Sequence, residues 1–109
     1  MTYRLVTEPE FAKRLREVVE PLRGKVGVVT GPGRSGAIAA VYASHELGVP
    51  YIPPTGRIPE RLRPLLLIDT AHWTGETIRK ATRKTQADVV VCVYVEPPMV
   101  RFWYERRRP

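Results

Sequence analysis

The sequence predicts an α/β domain in which a mainly parallel sheet of about four to five strands is flanked by helices. Short apolar runs rich in valine and leucine alternate with helical patterns, which is typical of strand–helix–strand units. Two of these runs lead through short glycine-containing loops directly into helices. Ligands of open α/β sheets bind outside the carboxyl ends of the strands, so these loops are the candidate functional site. With 109 residues, a single domain over residues 1–109 is expected.

A first helix is predicted after Thr7, where Thr7, Pro9 and Glu10 have the spacing of a capping box. It should end near Pro21. Its apolar residues recur at the spacing of one helix face, at Phe11, Leu15, Val18, Val19 and Leu22. We expect this stripe to pack on the sheet and to carry no chemistry.

The first candidate loop joins a strand at residues 25–30 to an alanine-rich helix that ends at Leu47 and Gly48. The loop sequence is Gly31-Pro32-Gly33-Arg34-Ser35-Gly36. Glycines let backbone N–H groups approach an anion closely, and the arginine adds a forked cation suited to diphosphate oxygens. The residues alone also fit a tight strand-to-helix turn with an exposed arginine.

The segment after this helix is predicted to contain a second strand at residues 49–53 and a connector at residues 54–64. The connector contains three prolines and is close to the minimum length for a parallel crossover. A turn of helix at residues 59–62 fits within it.

The second candidate loop follows an apolar strand at residues 65–68. Asp69 stands at the carboxyl end of that strand, and Thr74-Gly75-Glu76-Thr77 opens a helix that runs to about Gln86. Free N–H groups at a helix start suit a phosphate, and a carboxylate suits sugar hydroxyls. The pattern therefore predicts a sugar-phosphate site. In the helix that follows, Ile78, Ala81 and Thr85 should face inward, and Arg79, Lys80, Arg83 and Lys84 outward.

The last predicted strand covers residues 89–95, where a continuous apolar run is typical of a strand buried on both faces. Cys92 lies inside this run and is expected to be a core residue. Residues 99–104 are predicted to form an edge strand or an aromatic tail.

The net charge is +7, with fourteen arginines and four lysines. This balance fits an anionic ligand or a nucleic acid, and it equally fits a solvated basic surface. One cysteine excludes an internal disulfide. No apolar run is long enough to span a bilayer and no signal segment is evident, so we expect a cytoplasmic protein without a membrane partner.

Together these pieces resemble the type I phosphoribosyltransferases, most closely the small purine members that act on hypoxanthine, guanine or xanthine. The family motif is an apolar strand, two acids, four variable residues and Thr/Ser-Gly-x-Thr/Ser, and residues 65–77 follow it closely. Residues 31–36 occupy the place of the family's diphosphate loop. The segments Tyr3-Arg4-Leu5-Val6-Thr7 and His45-Glu46-Leu47-Gly48-Val49-Pro50, and the tail at residues 93–98 and 102–104, are also similar.

The resemblance implies transfer of ribose 5-phosphate from phosphoribosyl diphosphate to a purine-like base. Asp69 would accept from a ribose hydroxyl, Arg34 would stabilise the leaving diphosphate, and residues 72–77 would hold the 5-phosphate. Mg²⁺ would sit mainly on the substrate diphosphate, with no protein ligand of its own. The residues assigned to the site are Asp69 and Arg34 for catalysis, and Gly33, Ser35, Gly36, Thr70, His72, Trp73, Thr74, Gly75, Glu76, Thr77 and Trp103 for substrate binding.

Three features depart from the family pattern. Thr70 replaces the second acid, which should weaken the binding of the ribose by about 1–2 kcal/mol. Trp73 stands where purine members carry an aspartate near the base; it could stack on a base, and the neighbouring His72 could act as the general base. Residues 55–63 are too few to form the family's lid, so a partner subunit could supply the cover, or Arg57, Arg61 or Arg63 could reach the diphosphate.

These departures keep other functions open. One is a catalytically degenerate module of the same fold that binds a nucleoside monophosphate, RNA or a protein partner, with the basic helix face and residues 106–108 as phosphate contacts. Another is a hydrolase in which water takes the place of the base.

Overall fold

The computed structural model describes residues 3–71, 75–96 and 99–105. Within these residues five strands and three α-helices alternate along the chain. In order they are β1 (Arg4–Val6), α1 (Glu8–Val19), β2 (Val28–Thr30), α2 (Gly33–Leu47), β3 (Leu65–Ala71), α3 (Glu76–Thr85), β4 (Val89–Tyr94) and β5 (Val100–Phe102). Short 3-10 turns cover Glu20–Leu22 and Glu60–Leu62. This is the small α/β architecture that the sequence predicts.

The main sheet has the order β2-β3-β4, and both pairings are parallel. Its central strand is apolar from Leu65 to Ile68, and these four side chains are fully buried. In register, Thr30 at the end of β2 lies beside Leu67, and Asp69 lies beside Cys92 of β4. β3 continues past the predicted end at residue 68 to Ala71, so Asp69 lies within the last three residues of the central strand.

The predicted strand at residues 49–53 is reduced to one parallel bridge between Tyr51 and Val29. Val29 donates to the carbonyl of Pro50, and Ile52 donates to the carbonyl of Val29. Residues 50, 52 and 54 are the ones whose N–H positions face β2, and Pro50 and Pro54 have no N–H to donate. The segment therefore offers β2 no donor on either side of Ile52.

The prediction that the last apolar run is buried on both faces is wrong. The strand order places β4 at an edge of the sheet, and 41% of Val90 is exposed. Cys92 is half-buried, so it is only partly a core residue.

A second, two-stranded parallel sheet joins β1 to β5, with Arg4 beside Val100 and Val6 beside Phe102. Of the two alternatives predicted for residues 99–104, an edge strand or an aromatic tail, the strand forms over Val100–Phe102, whereas β1 was not expected. Phe102 is buried against the rings of Phe11 and Tyr94, which ties this small sheet to the main core.

Helix α1 buries the predicted stripe through Phe11, Leu15 and Val19, and it gives way to a 3-10 turn that contains Pro21. The capping box does not form, because the N-cap Thr7 makes no side-chain bond to the helix. Glu10 instead accepts from Arg4 at 2.6 Å and from the Tyr94 hydroxyl at 3.2 Å. These charge-assisted bonds to neighbouring strands replace the local one.

Helix α3 buries Ala81 and Thr85, half-buries Ile78, and leaves its basic residues exposed, as the spacing predicts. The exposed residues are Arg79, Lys80, Arg83 and Lys84. Of the helices in the described part of the chain, none has the length and apolar character needed to cross a bilayer.

Candidate functional site

A cavity of about 580 Å³ opens at the carboxyl end of β3. Its floor is Asp69 to Ala71, and the first turns of α2 and α3 stand on either side of it. Tyr3, β5 and Glu105 form a further wall. This is the sheet edge at which parallel α/β folds bind ligands.

The floor carries two polar side chains that are almost completely buried: Asp69 is 7% exposed and Thr70 is 3% exposed. They occupy this position because β3 is the central strand and its apolar residues fix the register on both sides. One carboxylate oxygen of Asp69 accepts from the N–H of Thr70 at 2.8 Å. A buried carboxylate that faces a cavity is suited to accept a hydrogen bond from a hydroxyl group of a ligand.

The first predicted loop is mostly helix, because α2 already begins at Gly33. Gly31 and Gly36 serve close packing: a methyl group added at Gly31 would lie 2.0 Å from the carbonyl oxygen of Gly36 and 2.7 Å from that of Ile68. Helix α2 can therefore approach the end of β3 closely enough to place Ser35 beside Thr70. The glycine spacing reflects this contact, although Gly33 and Ser35 do line the cavity.

Two residues assigned from the first loop do not line the cavity. Arg34 is exposed on the first turn of α2, and Gly36 is buried against Pro32. Because both residues lie in the helix, Arg34 points in a different direction from its neighbour Ser35. A prediction that treats residues 31–36 as an open loop does not include this difference.

Three hydroxyl groups meet at the floor. The Thr70 hydroxyl donates to Ser35 Oγ at 3.0 Å, and Ser35 Oγ is also hydrogen-bonded to the Tyr104 hydroxyl. Burial raises the pKa of Tyr104 above its ordinary value, so its phenol stays protonated at neutral pH. Tyr104 thus links the segment after β5 to the floor.

The start of α3 contributes Gly75, Glu76 and Thr77 to the cavity, as the motif predicts. Gly75 is the N-cap and has a φ of 78°, a left-handed conformation that suits glycine. The remaining motif residues, His72, Trp73 and Thr74, lie outside the described residues.

The wall formed by Tyr3, β5 and Glu105 is the part of the site that sequence reasoning missed. The Arg101 guanidinium lies 5.1 Å from the centre of the Tyr3 ring, and both residues line the cavity. Three-residue strands are too short to show a period, so the only available signal was the alternation of Val100, Arg101 and Phe102.

Trp103 lies outside this wall. The centre of its ring lies 5.5 Å from that of Phe11 and 6.5 Å from that of Tyr42. Trp103 does not line the cavity. The role assigned to it from the resemblance therefore finds no support in its position.

The connector also lies elsewhere, since none of the described lining residues comes from residues 54–64. Arg63 donates to the carbonyls of Thr85 and Gln86 and to Asp88. These groups lie at the amino end of β3 and β4, opposite the cavity, which excludes Arg63 as a diphosphate ligand. Arg57 and Arg61 are exposed and do not line the cavity.

The described lining holds three carboxylates, Asp69, Glu76 and Glu105, and one arginine, Arg101. Among the described residues no group of three His, Cys, Asp or Glu side chains is arranged to hold a metal ion. A phosphorylated ligand would therefore find hydroxyls, backbone N–H groups and one guanidinium as donors, beside three carboxylates in this lining.

No protein-family model matches the chain, and no curated protein matches its sequence. Solved structures do match. A purine phosphoribosyltransferase from Pyrococcus horikoshii Ot3 superimposes with a TM-score of 0.80 at 20% identity, covering 100% of this chain and 97% of that one. A xanthine-guanine-hypoxanthine phosphoribosyltransferase from Helicobacter pylori gives 0.74 at 13% identity, covering 94% and 92%.

A hypothetical protein from Neisseria gonorrhoeae with bound ppGpp gives a TM-score of 0.67 at 16% identity, covering 100% of this chain and 81% of that one. The chain therefore has the fold of the type I phosphoribosyltransferases, in agreement with the resemblance seen in its sequence.

Proposed function

We propose that this protein transfers ribose 5-phosphate from phosphoribosyl diphosphate to a purine-like base. The observation that carries the proposal is the meeting of Asp69 and Thr70 with Gly75–Thr77 in one cavity. A ribose 5-phosphate needs acceptors for its hydroxyls and donors for its phosphate at the two ends of one sugar. The floor supplies the acceptors and the start of α3 supplies the donors.

Each group has a defined task in this proposal. Asp69 accepts a hydrogen bond from a ribose hydroxyl and places its negative charge near the sugar, where positive charge develops as the diphosphate departs. The Thr77 hydroxyl and the free N–H groups of the first turn of α3 bind the 5-phosphate. Ser35, at the start of α2, donates to an oxygen on the other side of the sugar.

Magnesium fits the site only as an ion carried by the donor. With Asp69 as the one carboxylate at the floor, the ion would take most of its ligands from diphosphate oxygens and water. Bound in this way, it would neutralise charge on the leaving group.

The base is expected against the wall of Tyr3 and Arg101. A tyrosine ring and a guanidinium that lie 5.1 Å apart offer flat surfaces for an aromatic heterocycle. This placement brings the base opposite the start of α3, with the ribose between the two.

Calorimetry with phosphoribosyl diphosphate and magnesium tests the proposal. We expect millimolar or tighter binding, weakened about tenfold in Asp69→Asn because a charge-assisted bond becomes a neutral one. Glu17→Gln makes the same chemical change on the exposed face of α1 and should bind as the wild type does. Absence of binding at millimolar ligand would contradict the proposal.

A second candidate is a module of the same fold that binds a nucleotide without catalysis. It is favoured by the neutral Thr70 and by the absence of any cavity wall from residues 54–64 in the described lining. Release of diphosphate separates the candidates: release that needs an added purine indicates a transferase, release without a base indicates a hydrolase, and binding without release indicates the module. Activity that appears only as the concentration of the chain rises would indicate that a second subunit covers the site.

A further inference from the structure

We propose that Tyr104, acting through Ser35, orients the Thr70 hydroxyl so that it accepts a hydrogen bond from a ribose hydroxyl, as the missing second carboxylate would. Tyr104 is a positioning residue in this scheme, since it does not line the cavity itself. The inference rests on the proposed function, because it assigns a sugar hydroxyl to the floor of the same cavity.

Proton counting supports this role. A hydroxyl has one proton and two lone pairs, whereas a carboxylate only accepts. The Thr70 proton is directed to Ser35 Oγ at 3.0 Å. Thr70 therefore presents only lone pairs to other partners, and toward a ligand it behaves like an acceptor without charge. A threonine free to rotate would offer its proton as readily as its lone pairs.

Ser35 must be held in place for this arrangement to persist. Its position on the first turn of α2 is fixed by the close contact of Gly31 with Gly36, and its Oγ is also bonded to the Tyr104 hydroxyl. Ser35 is thus bonded on two sides, and its rotation would break both bonds. Thr70 is only 3% exposed, so water competes little for its proton.

Tyr104 is itself rigidly held. Its ring stacks on Phe102 at 5.5 Å with 5° between the planes, and it meets Trp103 edge-on at 4.9 Å. Glu105 closes the turn, since its carboxylate accepts from the N–H of Phe102 and its own N–H donates to the Phe102 carbonyl. The small β1–β5 sheet therefore sets the geometry of a side chain on β3.

The test compares binding of ribose 5-phosphate with that of its 2-deoxy and 3-deoxy analogues by calorimetry. We expect the wild type to prefer ribose 5-phosphate about tenfold over one of the two analogues, and Tyr104→Phe to reduce that preference to about twofold. In a Thr70→Val background, which keeps the shape and removes the hydroxyl, Tyr104→Phe should change nothing further. Tyr42→Phe is the matched control, because that hydroxyl donates to Glu8 outside the cavity.

The outcomes are distinguishable. Wild-type protein that binds none of the three sugar phosphates overturns the proposed function and this inference with it. Binding in which Tyr104→Phe weakens all three ligands equally, or in which its effect simply adds to that of Thr70→Val, overturns the inference alone. If Tyr104→Phe does not fold, Ser35→Ala interrupts the same chain of hydroxyls from the helix side and should give the same loss of preference.

Discussion

Gly31 and Gly36 show how a single hydrogen in place of a side chain positions the site. A methyl group at Gly36 would lie 2.6 Å from Pro32 Cδ and 2.9 Å from the carbonyl carbon of Gly31. Neither neighbour is a flexible side-chain end, so the helix would have to move away from β2 and carry Ser35 with it.

We therefore expect Gly36→Ala to lower the free energy of unfolding by about 2 kcal/mol, as overpacking in a core typically does. Urea denaturation measures this change. The control is Gly24→Asn, at a position with a φ of 76° and no neighbour within 4 Å, which asparagine tolerates at little cost. Equal stability of Gly36→Ala and wild type would show that α2 has room to move.

Cys92, the single cysteine, provides a chemical probe of the folded state. Burial raises the pKa of its thiol to about 11, and its Sγ donates to the carbonyl of Tyr94 at 3.5 Å. At about pH 8 the thiolate fraction should be on the order of a hundredfold lower than in an unfolded chain, where the pKa is about 8.5.

Alkylation by iodoacetamide at about pH 8 should accordingly be on the order of a hundredfold slower in the native protein than in concentrated urea. The native rate should climb as the pH rises toward 11, because the group becomes ionised only there. Equal rates in the two states would contradict the burial of this thiol.

At the scale of the element, α3 is held at its carboxyl end by an arginine from outside the helix. Arg63 donates to Thr85 and Gln86 carbonyls that have no partner within the helix, and to the Asp88 carboxylate. Asp88 also accepts from the Leu65 N–H, and this bond and Arg63 lower the pKa of Asp88. One side chain thus joins the end of α3 to the start of β3.

Arg63→Met keeps the length of the side chain and removes its donors, so we expect a loss of about 1–3 kcal/mol in unfolding free energy. Arg61→Met, on an exposed residue of the same turn, should change stability by less than about 0.5 kcal/mol. Chemical denaturation of both variants measures the difference. Similar values for the two would mean that water replaces the Arg63 bonds at no cost.

The elements differ in how far sequence could predict them. β3 and α2 were predictable because long apolar runs and a terminal glycine mark them independently of their surroundings. β1 and β5 are too short to show a period, and their pairing depends on the whole chain. The strand predicted at residues 49–53 is limited to one bridge for a local reason, the missing N–H groups of Pro50 and Pro54, which are visible in the sequence.

At the scale of the molecule, the net charge of +7 is not concentrated in the cavity. A basic surface of this kind binds polyanions mainly by releasing counterions. On this protein, α3 exposes four basic side chains, Arg79, Lys80, Arg83 and Lys84.

We expect single-stranded RNA to bind weakly and to lose more than tenfold in affinity between about 50 mM and about 200 mM salt. The double variant Arg83→Ala with Lys84→Ala should flatten this dependence, and fluorescence anisotropy measures it. Tight binding that does not respond to salt would indicate a specific RNA site and would favour the binding module.

The site as a whole was predictable where its residues are adjacent in sequence. Asp69 and Thr70 lie near the end of β3, and Gly75–Thr77 open the helix that follows it, so their meeting needs only the strand–helix unit. Tyr3, Arg101 and Tyr104 reach the same place through a pairing of distant segments, and no local pattern reports it. Arg34 does not line the cavity because the helix begins earlier than its glycines suggest.

The pairing of β1 with β5 also determines at which stage of folding the cavity is complete. Arg4 and Val100 stand at opposite extremes of the described chain, so their contact closes nearly the whole polypeptide into one loop. Contacts of such long range incur the largest entropic cost and are favoured only after the intervening structure has formed. The cavity should therefore be completed late in folding, and a ligand that touches both β3 and β5 would bind only chains that have finished folding.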